Sequence, residues 1–145
     1  MILRSPTAAD FDQWAALYAG YAAFYQVDQT DAMRRAVWAW LQDPDHTTSG
    51  LVAELEGRLI GLAHYRPFAR PLSASTGVFL DDLFVEPTAR GTGAAAALIA
   101  QIKAEARAKG WSVVRWITAD DNYRARALYD KVALRTKWVT YDIKP

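Results

Sequence analysis

Residues 90–96 read Arg90-Gly91-Thr92-Gly93-Ala94-Ala95-Ala96, between an apolar strand-like run and a long alanine-rich stretch. The chemistry of such a loop is anion binding. The first N–H groups of a helix have no intrahelical acceptor, and the aligned peptide dipoles add roughly half a positive charge there. Glycines at 91 and 93 let a phosphate approach the main chain without meeting a Cβ. A pyrophosphate-bearing ligand is therefore expected, and two ligand families fit. Gly91, Gly93 and Ala96 satisfy the dinucleotide fingerprint G-x-G-x-x-[GA]. That unit usually opens a doubly wound sheet, and too little chain follows residue 96 to build one. Arg90, Gly93 and Ala95 satisfy the competing pattern [RQ]-x-x-G-x-[GA].

A second motif follows at Asn122-Tyr123-Arg124-Ala125-Arg126-Ala127-Leu128-Tyr129-Asp130-Lys131, which fits N-x-x-A-x-x-L-Y-x-K. Together and in this order, the two motifs resemble the GCN5-related N-acetyltransferases (GNAT). The stretch Phe79–Val85 and the ending Val139-Thr140-Tyr141 resemble a narrower branch, which includes fungal histone, polyamine and D-amino-acid acetyltransferases. The resemblance implies acetyl-CoA as acyl-donor co-substrate. It implies that Arg90, Gly91, Thr92, Gly93, Ala94, Ala95 and Ala96 cradle the pyrophosphate. The main chain of Leu83, Phe84 and Val85 would bind the pantetheine arm like an added strand, with the Val85 N–H facing the thioester oxygen. Asn122 would cap its helix and touch the same arm. Tyr129 stands at the position of the family's catalytic tyrosine. The chain departs from the pattern at Ala133 and Leu134, where a glycine and an aromatic residue are usual.

Amine acetylation from a thioester has four requirements. The amine loses a proton, reaches the carbonyl at attack distance, meets a donor for the oxyanion, and leaves a thiolate that takes up a proton. The Tyr129 phenol, with an ordinary pKa of about 10, suits the last step. Asp81 and Asp82 precede the loop and are the candidate general bases. Strand alternation puts them on opposite faces, Asp82 with Phe84 and Asp81 with Leu83 and Val85, unless a bulge intervenes. His64 is a weaker candidate. The two histidines, His46 and His64, have no metal-ligand spacing, so no metal is expected. Tyr21, Tyr25 and Phe68 are candidates to line the acceptor pocket. Arg66 or Arg70 could pair with a carboxylate and favour an amino-acid-like amine. The leading expectation is an N-acetyltransferase acting on a small primary amine by direct attack. The alternatives are a catalytically silent acyl-CoA sensor, a histone-like lysine acetyltransferase and a dinucleotide-binding module.

These groups need a scaffold. The sequence predicts a strand at 2–4, a helix from Thr7 with Asp10 as its capping-box partner, and a helix from Thr30 or Asp31 to Asp43 with a Met33, Val37, Trp40, Leu41 stripe. A hairpin turns at Glu56-Gly57-Arg58, a loop runs from Pro67 to Gly77, and a strand from Thr76 feeds the glycine loop. A helix 94–109, a strand 111–118, a helix 122–132 and a last strand 137–143 complete the order. This is α+β: a mixed, mostly antiparallel sheet with a splayed strand pair and about four helices. The 145 residues suit one domain, 1–145, with one core. A net charge of +1 argues against a nucleic-acid surface, no apolar run suits a bilayer, and no export signal is visible, so a cytoplasmic enzyme is expected. The β-prone ending predicts a homodimer through an exposed edge.

Overall fold

The computed structural model describes residues 1–145. In chain order it contains β1 (Ile2–Arg4), a 3-10 turn (Ala8–Asp10), α1 (Phe11–Phe24), α2 (Asp31–Gln42), β2 (Ser49–Leu55) and β3 (Arg58–Arg70). Then come β4 (Ser75–Val85), α3 (Ala94–Ala108), β5 (Val114–Arg115) and α4 (Tyr123–Val132). The five strands form one sheet in sequence order. The first four pair antiparallel, while β5 lies parallel to β4 through Val78–Val114 and Phe79–Arg115.

Period-two alternation divides the sheet into two buried faces. Leu51, Ala53, Ala63, Tyr65, Val78 and Leu80 pack with Leu98, Ile99, Ile102 and Ala106 of α3. Val52, Leu59, Leu62 and Phe84 pack against Trp14, Leu17 and Tyr18 of α1. The β2–β3 turn has Glu56 and Gly57 at φ 52° and 76°, as a tight twisted hairpin requires. Thr30 caps α2 by accepting the Met33 N–H at 3.1 Å.

Four expectations change. Pro67–Gly77 is largely strand, turning only at Pro71–Ser73. Pro67 is tolerated because it pairs with Val78, whose N–H points away, to Val113 O. In such a pair both main-chain nitrogens face outward, and Pro67 lies beyond the end of the β2 ladder at Tyr65, on an open edge. The strand expected at 111–118 is reduced to Val114–Arg115. The buried side of α2 is Val37, Trp38 and Leu41, whereas Met33 and Trp40 are exposed. The strand expected at 137–143 does not form. After the Ala133 N–H no main-chain hydrogen bond is made, and Trp138, Tyr141 and Ile143 are 86%, 90% and 93% exposed. Propensity alone gives no strand without a partner.

The start of the chain is fixed by charge. Arg4 donates to Asp10 at 2.6 and 2.9 Å and to Glu54 at 2.6 and 2.9 Å. Asp10 is buried and also accepts the Thr7 N–H at 2.7 Å and hydroxyl at 3.0 Å, the expected capping arrangement. The guanidinium holds the Asp10 carboxyl well below its ordinary range against the opposing effect of burial. Asp10→Asn is therefore expected to destabilise the protein by roughly 2 kcal/mol, read as a lower urea midpoint at constant slope. Because the folded-state pKa is depressed, this stabilisation is present above about pH 4 and is lost on acidification. The gap between wild type and variant should accordingly narrow below that pH.

Candidate active site

β4 governs the site. Pairing with β3 joins Tyr65 to Leu80 and His64 to Asp82, which leaves Asp81 as an extra residue in a bulge. The bulge resets the alternation: Val78 and Leu80 face α3, but Asp82 and Phe84 face α1. Beyond Phe79–Arg115 the parallel ladder to β5 stops, and the two strands part. The Glu86 N–H is bonded to Ile60 O on the β3 side, so the Val85 and Leu83 N–H groups alternate into the gap.

A cleft of about 410 Å³ occupies that gap. Leu83, Phe84 and Val85 form one wall, while Arg90, Gly91, Gly93, Ala94, Ala95 and Ala96 form its floor. Asn122, Leu128 and Tyr129 come from α4, and Tyr21 and Tyr25 from α1. Gly93 starts α3, and the N–H groups of Gly93, Ala94, Ala95 and Ala96 have no main-chain acceptor. Gly91 and Gly93 stand at φ 87° and 83° with open space where a Cβ would lie. Both glycines are thus required by backbone conformation, and the space beside them fits an anion at the helix terminus. Thr92 behaves otherwise. Its hydroxyl donates to Ala89 O at 2.7 Å, closing the preceding turn, and it does not line the cleft.

Tyr129 is packed edge-on against Trp116 with centroids 5.3 Å apart. Burial, with Tyr25 nearby, pushes its phenol up to about 12, so it holds its proton at neutral pH. Asn122 accepts the Ala125 N–H at 3.4 Å as the cap of α4, and its amide donates to Thr118 Oγ1 at 3.3 Å. The α1 wall comes close to β4 at Gly20, where a Cβ would lie 3.3 Å from the Phe84 ring.

The two aspartates differ. Asp81 is paired with Arg66 at 3.0 Å, outside the cleft. Burial raises its pKa, and Arg66 opposes that. Asp82 does not line the cleft either; it lies behind Tyr18 and Tyr21 of α1. Tyr18 donates its hydroxyl to Asp82 Oδ2 at 2.8 Å, and His64 Nδ1 lies 2.8 Å from the same oxygen. Burial opposes ionisation of Asp82, but His64, by hydrogen bond and by charge, and then the hydroxyls of Tyr18 and Tyr21 outweigh it and lower its pKa. His64 is 2% exposed, and its Nε2 accepts the Trp14 indole N–H at 3.0 Å. The sequence did not point to Tyr18 as a partner of Asp82 or to Trp14 as a partner of His64, since 64 and 50 positions separate the two pairs and no spacing rule joins them.

Three other expected positions fall elsewhere. Phe68 meets Phe79 edge-on, with centroids 6.2 Å apart, beneath the Arg115 guanidinium and away from the cleft, because β3 runs on past the site. Arg66 is taken by Asp81, and Arg70 donates to Ser112 Oγ at 2.7 Å. His46 stacks on Trp40 with centroids 5.0 Å apart. No three His, Asp or Glu side chains converge as a metal-ligand set, and no helix is long and apolar enough to cross a membrane.

Comparison with known proteins matches this geometry to a family. The model of the acetyltransferase (GNAT) family covers residues 14–133. The D-amino-acid N-acetyltransferase HPA3 of Saccharomyces cerevisiae is 29% identical over 143 residues, 97% of this chain and 89% of its own. The uncharacterized N-acetyltransferase YhfO of Bacillus subtilis is 29% identical over 131 residues, 90% and 87% of the two chains. The crystal structure of a ribosomal-protein-alanine N-acetyltransferase from Brucella melitensis biovar Abortus 2308 superposes with a TM-score of 0.82 at 25% identity, covering 99% of each chain.

The left-handed glycine at the head of α3 gives a direct test. Gly93→Ala should cost about 1 kcal/mol in chemical denaturation although no neighbour obstructs the methyl group. An equal cost for Thr92→Ala would place the strain elsewhere.

Proposed function

The chain belongs to the acetyltransferase (GNAT) family, and from that premise we propose that it is an acetyl-CoA-dependent N-acetyltransferase of small primary amines. In this reading residues 1–145 are one catalytic domain working by direct attack in a ternary complex. The observation that carries it is the cleft itself. Free N–H groups at the α3 terminus, outward N–H groups on β4 and a protonated Tyr129 line one continuous cavity.

The pyrophosphate sits on the Gly93–Ala96 N–H groups, with Arg90 beside it. The pantetheine arm takes the main-chain groups that β4 leaves unpaired, and the Val85 N–H stabilises the oxyanion. The acceptor arrives as an ammonium. Asp82 draws it by charge and takes one proton, which it passes on to solvent, leaving a nucleophilic amine. The nitrogen attacks the thioester carbon: a C–N bond forms and the C–S bond breaks. The nitrogen releases its second proton to solvent, and the departing thiolate takes the Tyr129 proton. The phenol is then reprotonated by solvent. Overall, ammonium and thioester become amide, free thiol and one proton.

The acceptor side is aromatic and anionic. Tyr21 stands beside Asp82, and neither Arg66 nor Arg70 reaches the cleft, since Arg66 pairs with Asp81 and Arg70 bonds to Ser112. This favours a cationic amine without requiring a carboxylate on it. Thiol release from acetyl-CoA should be compared across amino acids, polyamines and a histone-tail peptide. A small amine is expected to lead, and a peptide preferred more than about tenfold in kcat/KM would point to the lysine acetyltransferase reading. With the best amine, Tyr129→Phe should lower kcat by roughly 100-fold while acetyl-CoA affinity stays level. Binding without turnover in wild type would support the silent sensor.

The proposal includes a homodimer. Leu134, Trp138, Val139, Tyr141 and Ile143 are exposed along an extended ending. Such a row of unpartnered apolar side chains is uncommon on a monomer and suits burial by a second copy. Light scattering at tens of micromolar should give twice the 16.2 kDa chain mass, and deletion of residues 137–145 should return one.

A further inference from the structure

The buried chain of contacts behind Asp82 fixes the charge of the acceptor pocket. An indole nitrogen only donates, so His64 Nε2 must carry its lone pair where it meets Trp14 at 3.0 Å. The remaining proton of the neutral ring is therefore on Nδ1, which donates to Asp82 at 2.8 Å. Protonating Nε2 would break the indole bond and strand the Trp14 N–H, in a residue 1% exposed. We propose that Trp14 is a positioning residue: its indole N–H holds His64 as the Nδ1–H tautomer, and so keeps the imidazole from cancelling the Asp82 charge.

The other neighbours of Asp82 set the remaining balance of charge. From α1, Tyr18 and Tyr21 approach Asp82 as neutral hydroxyl donors, their phenols raised by burial. From β4, Asp81 carries a second negative charge, but Arg66 of β3 cancels it at 3.0 Å. From β3, His64 is the only other group that could add a positive charge. With His64 neutral, the Asp82 cluster has a net charge of one negative unit. With His64 an imidazolium, it has none, and a cationic amine loses its attraction. Trp14 also touches Tyr18 and His64 as an aromatic ring, with centroids 5.2 and 5.7 Å apart, so that its packing and its N–H are separable roles.

The inference rests on the acetyltransferase reading for its consequence but not for its test. Long-range proton–nitrogen NMR of the wild-type protein reads the His64 tautomer directly. A single Nδ1–H form of the neutral ring is expected. An Nε2–H form, or an imidazolium at neutral pH, would overturn the proposal whatever the enzyme acetylates. Trp14→Phe retains a ring and deletes the N–H. In that variant His64 should acquire a second tautomer, and a new inflection should enter the pH profile. The amine KM should rise about tenfold as pH falls through it, with acetyl-CoA KM within about twofold of wild type. If Trp14→Phe folds but leaves tautomer and profile unchanged, Trp14 is only a core residue and the proposal fails. If it does not fold, the wild-type NMR result decides. Absence of turnover in wild type with any amine would count against the function and leave the tautomer result standing.

Discussion

Main-chain hydrogen bonding is the constraint on which the site depends. A strand inside a sheet has its N–H and C=O groups paired on both edges. β4 departs from that: it pairs with β3 along nearly its whole length but with β5 at only two residue pairs. The unpaired length, Leu83–Val85, lies where α3 begins with its own free N–H groups. Two sets of donors that the fold leaves unsatisfied therefore meet in one cleft. The apolar packing of α3 on one face and α1 on the other holds the strands in place while they part.

The bulge at Asp81 is the second decision in the same strand. One extra residue separates the fates of adjacent carboxylates: Asp81 turns to Arg66, and Asp82 turns inward to His64 and Tyr18. It also lets Leu80 and Phe84 serve opposite cores although their spacing is even. Charge placement and core packing are thus set by one backbone irregularity.

The parts of this arrangement that are local in sequence were legible there. The glycine loop, the Thr7–Asp10 box, the Glu56-Gly57 turn and the Asn122 cap each depend on residues within a few positions of one another. The alanine-rich helix from 94 was readable for the same reason. What escaped was long-range. Pro67 looked like a loop residue because its harmlessness depends on where the β2 ladder ends. Phe68 looked like a pocket residue because the length of β3 was not visible. The ending 137–143 has strand composition, but a strand is a relation between two segments and here there is one. The Trp14–His64–Asp82–Tyr18 chain joins three elements across the sheet, and no periodicity encodes it.

Gly20 bears on how such a pocket diversifies. The distance between α1 and β4 there is set by a missing side chain, and a methyl group would already press on the Phe84 ring. Phe84 is part of the cleft wall. A substitution at position 20 therefore acts as a spacer: it changes the width of the cleft while leaving Asp82, Tyr129 and the glycine loop in place. The width of the opening and the polar groups around it are thus set by different residues, and one can be altered without the other.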